Sequence, residues 1–279
     1  MSLMIRLAEQ QDLRLGVVNF MNTTPLIHGL ELNEGIELVL KVPSELVSLV
    51  EQGEVDFALS SSIDYQQSSC DLSILPVSGL SSNGETLTVK VCSRVPLQDI
   101  TKVHCDTDSH TSVVLLQIIL QKQYGCSVDV VSKDLGAMKH GEYELPNVIL
   151  MIGDKVVKND VSDSHPYEVD LGEAWKQLTG LPFVFAVWLG QSDLRSHKAK
   201  QAAIAIDRQF RCNNQRIEQV VAKNADSRGW NCNLALKYLT NHMDYSWTRE
   251  HKQSLELFYK YANELGLIEQ NKPLTFFRY

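Results

Sequence analysis

What narrows the fold of this chain most is a change of texture along it. Short runs rich in Val, Ile and Leu alternate with helical patterns as far as residue 188, and beyond that point only helical patterns remain. In the first part, 13–18, 36–42, 55–60 and 72–77 read as strands, with helices over 24–31 and 44–53 between them. The second helix begins at Pro43-Ser44, carries Leu46, Val47, Leu49 and Val50 on one face, and stops at Gly53. A further strand over 86–93 alternates Leu87, Val89 and Val91 with Thr86, Thr88, Lys90 and Cys92. The series resumes with strands at 102–105, 128–131 and 148–152, a helix over 111–124 and a weaker one near 133–139. A polar loop with Pro166, a short helix over 174–178 and an apolar strand over 181–188 complete it. Alternating β and α elements predict mostly parallel sheets covered by helices.

In the tail, Ala199, Ala203, Ile206, Phe210, Ile217 and Val220 recur at three- and four-residue steps with one seven-residue gap, which predicts one long amphipathic helix over 196–224. Leu255, Phe258, Ala262 and Leu265 mark another. Helices with no sheet of their own must pack on an existing lobe, most simply the first. The expected organisation is therefore a first lobe of 13–93 plus 187–279 and a second of 94–186, with crossings near 93–96 and 181–188. Two crossings make a hinged pair of lobes with a cleft suited to closing on a ligand.

Composition removes several classes. The formal net charge is −8 with no long basic run, so nucleic acid is not an expected partner. The six cysteines, at 70, 92, 105, 126, 212 and 232, form no C-x-x-C pair, and no two histidines are spaced i, i+4, so no metal site is expected. Scattered thiols, a mixed polar opening from Met1 to Asp12 and the lack of a 20-residue apolar stretch predict a cytoplasmic protein that binds no membrane. G-x-S-x-G, G-x-G-x-x-G and Walker motifs are missing, and the acidic run from Asp106 lacks the Gly and Glu that a calcium loop needs.

What remains are small polar residues where strands end and helices begin, the places at which open α/β sheets bind ligands. Asn22 follows the first strand and precedes Pro25; its amide would either hold a ligand or, with Thr23, cap the helix. Ser60-Ser61-Ser62 and Ser109-His110-Thr111-Ser112 open helices in different lobes, and each is either an anion seat or an ordinary cap. Two such starts facing each other would suit a dicarboxylate. Thr88 turns toward the cleft or toward solvent, and Asp154 orients a ligand hydroxyl or closes a turn with Gly153. His28, His140 and His165 read as surface or structural residues, and Phe183, Phe185 and Trp188 as core.

The run Leu15-Gly16-Val17-Val18-Asn19-Phe20-Met21-Asn22-Thr23-Thr24-Pro25-Leu26 resembles the opening strand and turn of the menaquinone-biosynthesis chorismate dehydratases. Matches continue in order at Gly53-Glu54-Val55-Asp56 to Ser61, Ser93-Arg94, Ser109 to Ser112, Ile152-Gly153-Asp154 and the run from Pro182 to Trp188, so the likeness spans residues 13 to 262. The resemblance implies a two-lobed, periplasmic-binding-protein-like type II fold, α/β with mixed sheets flanked by helices and a helical C-terminal segment packed on the first lobe. It implies dehydration of chorismate to 3-[(1-carboxyvinyl)oxy]benzoate without a metal or organic cofactor. Asn22 matches the family's active-site asparagine, and Thr88 stands where the family usually has serine. Ser61, Ser109, Thr111, Ser112 and Asp154 fall at positions that line the cleft. Two other readings are carried alongside. One is the 1,4-dihydroxy-6-naphthoate synthase of the same pathway, which uses a second-lobe histidine, for which His110 and His140 stand. The other is a small-anion binding protein without catalysis.

Overall fold

A computed structural model describes residues 12–107, 109–133 and 145–278. Among them are ten strands: β1 (Leu13–Val17), β2 (Ile36–Leu40), β3 (Phe57–Ser61), β4 (Leu72–Ser82), β5 (Val89–Ser93), β6 (Lys102–Asp106), β7 (Asp129–Lys133), β8 (Val148–Ile152), β9 (Tyr167–Asp170) and β10 (Phe183–Gln191). They form two five-stranded sheets, ordered β2-β1-β3-β10-β4 and β7-β6-β8-β5-β9. The helix expected near 133–139 begins at Lys133, which instead closes β7; its remainder and His140 lie outside the described residues.

Each sheet is mixed, and for the same reason. Its parallel half (β1 with β2 and β3; β6 with β7 and β8) is wound by local strand–helix–strand units. Its antiparallel member arrives from the other lobe: β10 enters the first sheet between β3 and β4, and β5 enters the second between β8 and β9. This corrects the expected boundary. Residues 89–93 belong to the second sheet, so the first crossing is the connection 83–88 and not 93–96. The return lies at 180–182, after the helix Leu171–Thr179.

Asp170 fixes the first crossing. Its carboxylate caps the helix Leu171–Thr179 through the N–H groups of Gly172 and Glu173, and it also accepts from the backbone N–H groups of Thr86 and Leu87 and from Thr86 Oγ1 at 2.8–3.0 Å. Under that hold Leu87 adopts φ +65°, the one non-glycine in the left-handed region among the described residues. Such a conformation costs about 1–2 kcal/mol, and it sits immediately before Thr88.

The long tail helix is two helices, Ser196–Gln215 and Ile217–Asn224, broken at Arg216 in the gap between Phe210 and Ile217. The first buries Ile206 and three alanines, Ala199, Ala202 and Ala203, whose small side chains let it lie close against β4 and the short helix Thr24–Ile27 of the first lobe. The last helix, Arg249–Glu264, packs on β10 and reaches the second lobe as well. Phe258 meets Trp175 and Phe183 edge to face, Trp175 Nε1 donates to Ser254 Oγ at 3.0 Å, and Lys122 pairs with Glu264. No described helix is long and apolar enough to cross a membrane.

Candidate active site

The two sheets point strand ends and helix starts at one another across a cleft with about 680 Å³ of atom-free space, its mouth included. From the first lobe come Asn22 of the turn after β1, Ser61 at the end of β3 and Phe185 of β10. Thr86 and Thr88 come from the crossing, and Ser109, Thr111 and Ser112 from the start of helix Thr111–Tyr124. Six of the seven residues singled out from the sequence thus share one cavity; Asp154 alone does not line it. None of the described residues that line it carries a charged side chain.

The capping alternatives are not what the side chains do. Asn22 lies within the single turn Met21–Thr23 and caps nothing: its Oδ1 is buried without a partner, while its carbonyl accepts from Tyr245 Oη at 2.9 Å. Thr23 Oγ1 donates back to the carbonyls of Val18 and Phe20, which rigidifies the turn. A buried acceptor without a donor costs about 1–3 kcal/mol, and Asn22 lines the cavity, where a ligand hydroxyl would supply one.

Helix Thr111–Tyr124 has no side-chain cap at its start, so its first N–H groups and the positive end of its dipole are available to an anion in the cleft. The facing segment after β3 continues into a helix of one turn, Asp64–Gln67, so the expected second helix start supplies hydroxyls but no macrodipole. Thr111 also bridges the lobes: its Oγ1 accepts from Ile63 N at 3.2 Å and lies 3.4 Å from Ser62 Oγ.

Charge is kept to the rim, where it ties lobe to lobe. Asp154 opens the helix Asp154–Lys158 of the second lobe, and its Oδ1 accepts from Met21 N at 3.2 Å and from Trp230 Nε1 at 2.8 Å. The expected role in holding substrate is thus replaced, for this side chain, by a latch to the first lobe; burial pushes its carboxyl above the usual range. Beside it, Gly153 has φ +64°, and an added Cβ would stand 3.3 Å from the Phe20 ring. On the opposite rim, His110 Nδ1 and Asp64 Oδ1 lie 2.7 Å apart. The hydrogen bond to Asp64 raises the imidazole pKa, and burial raises that of the carboxyl. His110 is therefore engaged outside the cavity lining, while His140, the other histidine that stood for the naphthoate synthase reading, lies outside the described residues. His28 bonds Asn224 and His165 bonds Ser164 and the Pro146 carbonyl, both as structural residues.

Sequence reasoning missed Tyr238 and Met243, which reach the cavity from the tail. Tyr238 is buried, its hydroxyl is 2.8 Å from Thr88 Oγ1, and its ring stacks on Trp230 at 4.8 Å. Nothing in the local sequence announces this, because the contact joins residues 150 positions apart.

Two lobes of mixed α/β structure joined by two crossings, with a polar cleft at their helix starts, define the periplasmic-binding-protein-like type II class. Solved structures agree. Protein AF1704 from Archaeoglobus fulgidus superposes with a TM-score of 0.71 at 15% identity, covering 93% of this chain and 100% of that one. The periplasmic aliphatic sulphonate binding protein SsuA from Escherichia coli does so with a TM-score of 0.63 at 15% identity, covering 94% of each. The particular family follows from sequence: residues 13–264 match the family described as menaquinone biosynthesis. A chorismate dehydratase from Thermus thermophilus is 32% identical over 190 residues, which is 62% of this chain and 68% of that protein. The chain belongs to the menaquinone-biosynthesis family.

Proposed function

We propose that the protein is a chorismate dehydratase, a carbon–oxygen hydro-lyase that converts chorismate to 3-[(1-carboxyvinyl)oxy]benzoate and water in the cytoplasm. The observation that carries this reading is the meeting of Asn22 and Thr88 in one uncharged cavity, opposite an uncapped helix start. A dianion entering it would place one carboxylate on the N–H groups and hydroxyls of 111–112. The C4 hydroxyl would then lie toward Thr88 and Asn22 Oδ1.

Loss of the C3 proton and the C4 hydroxyl leaves an aromatic ring, so the product is far more stable than the substrate. The enzyme's task is therefore to hold one geometry and to ease departure of the hydroxyl. The described lining contributes no carboxylate, imidazole or amine, and in this reading the substrate's own enolpyruvyl carboxylate takes the C3 proton. Ser61, Ser109, Thr111 and Ser112 hold the anion, and Asp154 serves by keeping the lobes together.

The test is direct. Chorismate incubated with the protein should lose its cyclohexadiene absorption as the benzoate product accumulates. Folded protein that leaves the spectrum unchanged would overturn the reading.

A further inference from the structure

The pairing of Tyr238 with Thr88 has a direction, and the direction matters for elimination. Tyr238 Oη and Thr88 Oγ1 are 2.8 Å apart, and either hydroxyl has the chemistry to donate. The phenol is buried, and burial pushes its pKa far above the ordinary value, so it keeps its proton. Asn22 Oδ1 accepts no hydrogen bond, and Thr88 Oγ1 is the partner that the Tyr238 hydroxyl has at hydrogen-bond distance, so the phenol proton is left for Thr88. The Thr88 proton then has to point elsewhere, and Thr88 lines the cavity.

Both partners are held where they are by unusual backbone. Tyr238 begins a π-helical turn, Tyr238–His242, a rare form that concentrates at functional sites. Its ring is stacked on Trp230, whose indole is itself bonded to Asp154. Thr88 follows the left-handed Leu87, which Asp170 holds in place. A simple core hydrogen bond needs neither device.

We propose that Tyr238 is a positioning residue that fixes Thr88 as a hydrogen-bond donor to the departing hydroxyl, through a chain running from Tyr238 to Thr88 to substrate. This rests on the chorismate dehydratase reading and adds to it a residue and a polarity. Neither side chain gives up a proton. The C4–O bond breaks with its electron pair on oxygen, the C3–H electrons form the new ring double bond, and the C3 proton completes the departing water. Thr88 stabilises the negative charge on that oxygen while the bond stretches, and burial favours the protonated phenol that directs Thr88 to donate.

The experiment is a double-mutant cycle on chorismate turnover with Tyr238→Phe, Thr88→Val and both together. Tyr238→Phe keeps the ring on Trp230 and should lower kcat about tenfold with KM nearly unchanged and the melting temperature little altered. Thr88→Val should cost more, and the double variant should be no slower than Thr88→Val, since Tyr238 acts only through Thr88. Multiplicative losses, or a Tyr238→Phe protein of full activity, would overturn the relay while leaving the proposed function standing. Wild-type protein inert toward chorismate would overturn both. If Tyr238→Phe does not fold, a structure with the 3-[(1-carboxyvinyl)oxy]benzoate product bound decides. Thr88 Oγ1 bonded to both Tyr238 and a ligand or water at the vacated C4 position supports the chain, and Thr88 turned away from Tyr238 overturns it.

Discussion

Asn22, Thr88 and Ser112 meet the cleft as neutral dipoles, whereas Asp64 and Asp154, a short step outward, are carboxylates buried between the lobes. The wall must hold an anion yet not bind it too rigidly to react, and uncharged donors in a water-poor site do this without a counter-ion that would have to be desolvated. At the rim the problem is different. Two lobes that share a continuous apolar core gain a defined closed position from hydrogen bonds to charged groups, which are short and strongly directional. Charge thus sets the distance between the lobes, and neutral groups set the chemistry between them.

The largest expected effect lies on the wall. Asn22→Ala should lower turnover by about 10²- to 10³-fold, with little change in thermal melting because Asn22 caps no helix. Asn22→Asp should fold normally and bind poorly, since it adds a negative charge to a wall that has none. Normal turnover in Asn22→Asp would show that the neutrality of the wall is incidental. Next comes Thr88. Its replacement by Val should cost about ten- to a thousandfold in kcat, while Thr88→Ser restores the family's usual residue and should stay close to wild type.

Rim substitutions should behave differently. Asp154→Asn weakens the acceptor for Met21 N and Trp230 Nε1. It should raise KM about tenfold with kcat held, and the liganded form should be less compact by small-angle scattering. A fall in kcat at unchanged KM would move Asp154 from rim to wall. The smallest effect is the pH response of the other clasp. His110 has a folded-state pKa above the ordinary 6.5, raised by Asp64. Its contribution to closure is therefore complete below about 6.5 and is lost as the pH climbs through the raised value. Asp64, whose own pKa is raised by burial, adds to the loss because its ionised form is then left without a cation. Affinity for the product should decline over that interval in wild type and be flat in the double variant His110→Gln, Asp64→Asn, measured by calorimetry across the pH range.

Some of this molecule is written locally. The helix Thr111–Tyr124 and the strand Val148–Ile152 follow from unbroken apolar runs bounded by polar starts and a glycine, and the structure places both where those patterns end. Asn22, Ser61, Thr88, Ser109, Thr111 and Ser112 were legible as a set because cleft residues in such folds sit at strand ends and helix starts, whatever the rest of the chain does. Other features were visible as signals without a unique meaning. The seven-residue gap before Ile217 is where the long helix breaks, and the alternation over 86–93 is the same whether the strand joins one sheet or the other. Strand pairing is decided by which edge is open after the lobes assemble, so the crossing at 83–88 required the tertiary structure.

The alternation of β and α segments, ending in a helical tail, by itself determined a two-lobed α/β protein with its polar groups gathered at a cleft. Only the packed structure decided that Asp154 turns to Trp230 and away from the cavity, and that Tyr238 meets Thr88. The physical reason is distance along the chain: hydrogen bonds between residues 76 and 150 positions apart leave no periodicity to read. They exist because the tail, lacking a sheet, had to bury its aromatic face against the crossing that carries Thr88.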